Sequence, residues 1–271
     1  MDRSELSRRV EEIRWHHAID LGDGVVTPGQ AGAGTIPLGT LPELTGRSVL
    51  DVGAWDGYYS FHAERAGAAR VVALDHYSWC VDLDARAAYW DRCRAEGVLP
   101  DHGKDETEFW RGDTLPGRRG FDLAKEVLGS AVEPYVADFT TVDLDELGAF
   151  DVVLYLGVLY HMKEPLASLE RLRRVTKEVA VIETEAVWVR HHEHESLLGF
   201  YPGDELSGDY GNWYAPNEVG LHALCRAAGF DRVVTVAGPP PLHPLGPVKR
   251  ALLGRPPLRS LNYRLIVHAF P

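Results

Sequence analysis

Leu50-Asp51-Val52-Gly53-Ala54-Trp55-Asp56-Gly57-Tyr58-Tyr59-Ser60-Phe61 is the stretch on which the fold turns. A β-branched apolar run (SVLDVG, 48–53) enters it and a helically spaced run (YYSFHAERAG, 58–67) leaves it, with glycines at 53 and 57. Glycine after a strand lets backbone approach a ligand closely, and the start of the next helix offers unpaired N–H groups. A dinucleotide-binding turn needs a second glycine where Trp55 stands, because the pyrophosphate rests on bare backbone there. Trp55 fills that space, and Asp56 would repel a phosphate. The turn suits a ligand with an amino group and no phosphate; the alternative is an ordinary strand-to-helix turn.

The flanking sequence repeats the same alternation. RVVALD (70–75) is a second buried strand with Asp75 at its end, 24 residues after Asp51. An acid there accepts two hydrogen bonds from vicinal hydroxyls of a ribose, or else simply begins a solvated loop. PYVADF (134–139) is a weak third strand, whose Asp138-Phe139 end could hold an adenine amino group and its ring, or be a loop acid. FDVVLYLGVL (150–159), EVAVIET (178–184), DRVVTVA (231–237) and YRLIVHAF (263–270) complete the set. Helical spacing covers Ser4–Trp15, 58–67, PLASLERLRRVT (165–176, with proline at its start) and EVGLHALCRAAGF (218–230). Continuous apolar strands alternating with helices predict an α/β fold with a parallel sheet covered on both faces. The last two strands are joined through a proline-rich loop, with Val248–Leu253 its one short helical candidate, which predicts an antiparallel hairpin at one edge. Two insertions interrupt the alternation: His76–Glu133, holding the helix DLDARAAYWDRCRAEG, and Ala186–Asn217, rich in aromatic residues, His and Gly. Long insertions at strand ends are where sites are built.

The chain has 271 residues with 28 basic and 40 acidic side chains, a net charge of −12. Polyanion binders present a basic field, so the balance argues against a nucleic-acid partner without excluding a local patch. Three cysteines without CxxC spacing make structural zinc and a disulfide framework poor readings. A charged N-terminus without an apolar core is no secretory signal, and no apolar run reaches the roughly 20 residues of a membrane helix. The expected compartment is the cytoplasm.

Taken in order, Asp51-Val52-Gly53 to Gly57, Asp75, Asp138 and Leu156-Gly157-Val158-Leu159 resemble the class I S-adenosylmethionine-dependent methyltransferases. That resemblance implies a Rossmann-like seven-stranded sheet with its last strand antiparallel, S-adenosyl-L-methionine as cofactor, S-adenosyl-L-homocysteine as product, and no metal. It implies cofactor contacts at Asp51, Gly53, Asp56, Gly57, Asp75, Asp138, Phe139, Leu156, Gly157 and Tyr160. Trp15, His16 and His17 could fold over the methionine end from the N-terminal cap, or belong to a loop that crosses the domain surface. One domain spans the chain, divided into an N-terminal cap (1–45), a cofactor-binding half (46–184), an acceptor-side cap (185–217) and a C-terminal part (218–271). ELTGRSVLDVGAWDGYYSF, GVLYHMKEPLASLERL and FYPGDELSGDYGNWYAPN further resemble bacterial proteins related to the tRNA wobble-uridine (carboxy)methyltransferases. In those enzymes Tyr160 would lie beside the sulfonium. They carry a basic Pro-Trp-Arg-Lys-Gly segment before the sheet, where this chain reads RWHHAIDLGDG. The expectation is therefore a small-molecule acceptor, methylated at O or N in natural-product tailoring. The alternatives are a tRNA wobble-uridine enzyme and a non-catalytic cofactor-binding regulator.

The candidate bases are His161, after the fourth strand, Glu185 at the end of the fifth, and His191. His161 could equally be a packing residue. Glu183 and Glu185 flank that strand end, with one expected to face the acceptor and the other to be structural. His191-His192-Glu193-His194-Glu195 superficially resembles a metal site, but consecutive residues point in different directions, so a polar lid is expected instead. Tyr201, Trp213, Tyr214 and Asn217 could wall the acceptor pocket or simply pack a lid. Lys249, Arg250, Arg255 and Arg259 read as a solvated loop.

Overall fold

The computed structural model describes residues 2–30, 36–239 and 259–271. Two compact units divide the chain, Met1–Leu154 and Tyr155–Pro271.

In the first unit, α1 (Arg3–Glu11) is capped by Asp2, whose carboxylate accepts from the Glu5 N–H, and it buries Leu6 and Val10. It stops short of Trp15, where the sequence pattern had extended it. β1 (Ser48–Val52), α2 (Tyr58–Arg65) and β2 (Arg70–Asp75) form the expected strand–turn–helix–strand. β1 and β2 are parallel, with Ser48 opposite Arg70 and Val52 opposite Leu74. Both strands bury nearly every side chain, as continuous apolar runs require. The insertion after β2 holds α3 (Tyr77–Cys80), α4 (Leu83–Glu96), α5 (Gly103–Thr107) and α6 (Arg119–Leu128). Of these only α4 was evident from spacing. β3 (Glu133–Val136) runs parallel to β2 and is half exposed, which is why its sequence signal is weak. α7 (Leu144–Leu147) leads to β4 (Phe150–Leu156).

In the second unit, a 3-10 turn at Leu159–His161 precedes α8 (Pro165–Val175). β5 (Thr176–Val189) is twice the length expected and takes in Glu185–Val189, which the sequence reading had assigned to the acceptor-side cap. The reason is pairing: β5 runs antiparallel to β9 (Ser260–Phe270) through ten residue pairs, from Ala180 opposite Ala269 to Val189 opposite Ser260. Between them lie β6 (Leu198–Phe200) and β7 (Tyr214–Pro216), a small antiparallel ladder, then α9 (Glu218–Ala227) and β8 (Arg232–Ala237), antiparallel to β9.

The seven strands follow in the order β3-β2-β1-β4-β5-β9-β8. This is the Rossmann-like seven-stranded sheet with an antiparallel last strand. The strand order reverses at β1, so the Gly53–Gly57 turn stands at a topological switch point, where ligands bind in such sheets. The candidate helix Val248–Leu253 and Lys249, Arg250 and Arg255 lie outside the described residues. Among the described residues no helix is long and apolar enough to cross a membrane.

Candidate active site

In the first unit the candidate residues gather at the turn after β1. Gly53 (φ +77°), Trp55 (φ +48°) and Gly57 (φ +83°) all take left-handed backbone. A Cβ on Gly57 would lie 2.6–2.9 Å from the Phe61 and Phe121 rings, so glycine is required there twice over. Asp51 is buried and accepts from Ser60 Oγ at 2.6 Å. Burial pushes its carboxyl up to about 6, with the nearby charge of Asp75 adding to the effect. Asp75 accepts from the Trp55 N–H (2.9 Å), the Ser78 N–H (3.0 Å) and Ser78 Oγ (2.7 Å). Burial raises its pKa too. Asp138 lies next in space, since the Ala137 N–H donates to the Asp75 carbonyl. One Asp138 oxygen closes a turn on Thr140, and Phe139 is buried.

Two expected cofactor contacts take other places. The Asp56 carboxylate faces the N-terminal segment: Oδ2 accepts from the His16 and His17 N–H groups (2.9 and 2.6 Å), and Oδ1 pairs with His17 Nδ1 (2.6 Å). Trp15 turns back on its own helix, donating to the Val10 carbonyl and resting on Gly120. It is His16 that meets the turn, its ring stacked on Trp55 at 4.0 Å and 8°.

The second unit, taken by itself, holds a separate group of candidate residues. Leu156 ends β4 and is nearly buried. Gly157 (φ +74°) donates to the Glu183 carbonyl, and a Cβ on it would stand 3.3 Å from the Tyr160 hydroxyl. Glu183 and Glu185 share one face of β5, and Arg264 stands opposite Glu185 on β9. The guanidinium grips Glu183 through Nε and Nη2, meets Glu185 Oε1 through Nη1 at 2.9 Å, and lies 3.3–3.4 Å from the Tyr160 hydroxyl. Burial lifts the Tyr160 hydroxyl to about 12 and raises Glu183 despite Arg264. For Arg264 burial works in the opposite sense, but Tyr160 and Glu183 hold its pKa above the ordinary value. Glu185, read as a candidate base, is buried and committed to Arg264 and Ser207 Oγ (2.8 Å).

His161 is exposed, and its Nδ1 bonds the Gly211 carbonyl at 2.8 Å. The neutral ring is therefore protonated on Nδ1 and carries its lone pair on Nε2. His191 sits at φ +68° in an exposed turn. No three potential ligands among the described residues gather as a metal site. The Trp213 N–H donates to the Tyr160 carbonyl and the Tyr201 N–H to the Trp213 carbonyl. Tyr201 packs on Val187, Leu206 and Ala215, and Tyr214 packs on Phe200. Asn217, expected in the acceptor wall, caps α9 instead. Its Oδ1 accepts from the Gly220 and Leu197 N–H groups while Nδ2 donates to the Glu195 and His192 carbonyls. Arg264 and Ser207, the partners of Glu183 and Glu185, were not singled out from sequence; the one arginine in the terminal strand, just before the apolar run Leu265-Ile266-Val267, was the available signal.

Residues 34–236 match the family described as a methyltransferase domain. The chain belongs to the methyltransferase domain family. Its architecture is that of the class I S-adenosylmethionine-dependent methyltransferases. This methyltransferase is 27% identical over 190 residues to the tRNA U34 carboxymethyltransferase of Aeromonas hydrophila subsp. hydrophila, covering 70% of this chain and 46% of that protein. It is 24% identical to the protein of the same description from Enterobacter sp. (strain 638), with the same coverage. The chain spans about half the length of the curated relatives it matches. Among solved structures, the N-terminal domain of EvdMO1, crystallised in the presence of SAH and D-fucose, superposes with a TM-score of 0.60 at 19% identity, over 100% of this chain and 97% of that one. EvdMO1 itself gives 0.56 at 20% identity, over 100% of this chain and 48% of that one. At these identities the likeness is one of fold.

Proposed function

We propose that this S-adenosylmethionine-dependent methyltransferase methylates a small-molecule acceptor at oxygen or nitrogen, as a tailoring step in natural-product biosynthesis in the cytoplasm. The observation that carries the cofactor assignment is the pair of buried carboxylates, Asp51 and Asp75, beside a glycine turn that holds no lysine or arginine. Burial disfavours charge on both, so a ligand with an amino group and a vicinal diol relieves them and a pyrophosphate does not. S-adenosyl-L-methionine fits that donor set, with Asp51 beside its amino acid end, Asp75 at the ribose and Asp138-Phe139 at the adenine. When bound it supplies an electrophilic methyl for in-line displacement. The chain's own contribution is orientation, which in favourable cases supplies on the order of 7–11 kcal/mol.

His161 would take the proton of a hydroxyl acceptor; the Nδ1 bond to the Gly211 carbonyl, which puts the ring's lone pair on Nε2, supports that role. An uncharged amine needs no such base. Tyr201, Trp213 and Tyr214 would bound the acceptor. Methyl rather than carboxymethyl transfer is favoured by the segment RWHHAIDLGDG, which stands where the carboxymethyl enzymes carry a basic Pro-Trp-Arg-Lys-Gly segment. The likeness to tRNA U34 carboxymethyltransferases supports a second reading, with tRNA as acceptor.

The test is methyl transfer from labelled cofactor to a metabolite panel and to bulk tRNA, beside calorimetric titration with S-adenosylhomocysteine and with NAD. Labelled metabolite supports the proposal, and labelled tRNA transfers it to the second reading. Homocysteine-product binding without any transfer makes the protein a regulator, and tighter binding of NAD overturns the cofactor assignment.

A further inference from the structure

The cofactor turn is held from outside by the N-terminal segment, and the contacts form a continuous path. Asp56 is all but fully buried, and its three partners all come from His16 and His17. Two successive backbone N–H groups converging on one carboxylate oxygen make an anion nest. Around it His17 stacks on Tyr58 and meets Tyr59 edge-on. The segment is itself tightly closed, with Thr27 Oγ1 donating to the His17 carbonyl, and Gly29 lying so near His17 that a Cβ would meet its backbone at 2.3–2.5 Å. This clamp lays the His16 ring flat on Trp55. Trp55 is the one residue of the turn other than glycine with left-handed backbone, a conformation that needs support from its surroundings. Its N–H donates to the Asp75 carboxylate and its carbonyl accepts from Trp79 Nε1.

We infer that His16 and the His17–Asp56 clamp are positioning residues for the cofactor: through the Trp55 ring they hold the turn, and through the Trp55 N–H they orient Asp75. The inference rests on the proposed cofactor role of Asp75, and it assigns control of cofactor affinity to side chains that act through Trp55. The path predicts a ring requirement at position 16. Any flat ring there keeps Trp55 in place, whereas a methyl group releases it.

Calorimetric titration with S-adenosylhomocysteine, run well below the melting temperature of every variant, tests this. His16→Ala is expected to weaken binding about three- to tenfold, the scale of one aromatic stacking pair. His16→Phe is expected to stay within about twofold of the native affinity by the same stacking argument. In an Asp75→Asn background the His16→Ala change should add little, because residues on one path are not additive. Native affinity in His16→Ala overturns the inference. So does a loss that His16→Phe fails to restore, or full additivity with Asp75→Asn. Native protein that does not bind the probe overturns the cofactor reading itself, an outcome distinct from these. The His16 exchanges are read in folded protein, since that half-buried ring can be replaced without opening the buried Asp56 carboxylate.

Discussion

Replacing Arg264 by methionine isolates the most consequential electrostatic arrangement in the second unit. Glu183 is fully buried, and among the described residues Arg264 is the cation that meets it. Removing one member of a buried pair typically costs about 3–5 kcal/mol, because the other charge is left uncompensated. The Arg264 side chain is 46% exposed, so water already screens part of the attraction. The low end, about 3 kcal/mol, is therefore expected. For a chain of this length that is a fall of roughly 6–12 °C in melting temperature.

The loss must depend on pH, with a sign that follows from Glu183. Its folded pKa is already raised by burial with Arg264 in place, and removing the guanidinium raises it further. A carboxyl whose folded pKa lies above its unfolded one binds more protons when folded. Its favourable contribution is complete below the unfolded pKa, roughly 4.3, and is lost as pH rises through the folded value. Arg264→Met should therefore lie closest to the native protein near pH 5 and fall furthest behind near pH 8. The groups facing Glu183 besides Arg264 are Tyr160, neutral across that range, and Glu185, which keeps Ser207. In Arg264→Met with Glu183→Gln most of the stability should return, since the more deeply buried charge is gone and Glu185 keeps its hydrogen bond from Ser207. Thermal melts of the native protein and these two variants from pH 5 to 8 give the comparison. An Arg264→Met deficit that is constant with pH, or a double variant no more stable than the single one, refutes the reasoning.

Three further outcomes are expected. Asp75→Ala should weaken S-adenosylhomocysteine binding by roughly 1.5–3 kcal/mol, the scale of hydrogen bonds to a charged group, as read by calorimetry. His161→Ala, with a hydroxyl acceptor, should lower kcat by about 10²–10⁴-fold and leave affinity for the homocysteine product within a few-fold; retained turnover would point to an amine acceptor. Gly57→Ala should lower stability by about 2–5 kcal/mol, combining left-handed backbone for a residue with a Cβ and overpacking against Phe61 and Phe121, measured by thermal melting.

The parts of this fold that could be read from sequence are those whose cause is local. Val49, Leu50 and Val52 with Val71–Leu74 put apolar side chains on both faces, which predicts a covered parallel sheet, and the glycines at 53 and 57 mark a turn whose backbone they must supply. Asn217 was legible as well, since an asparagine directly before a helix beginning at Glu218 is a capping signal. The aromatic loop around it drew the residue toward the acceptor wall instead. What stayed hidden depends on contacts between distant parts of the chain. Nothing near Asp56 announces that its carboxylate will be taken by His16 and His17, some forty residues upstream. The same limit applies to Glu183, Glu185 and Arg264. Spacing of two puts both acids on one face of a strand, yet the cation that holds them enters from an antiparallel neighbour whose register pairs position 185 with 264. That register is also what carries β5 through Glu183-Thr184-Glu185, where the apolar run is broken, into Ala186–Val189. Sequence thus located the glycine turn after β1 and the end of the fourth strand. The alignment of Tyr160, and the support behind Trp55, come from pairings that only the folded chain creates.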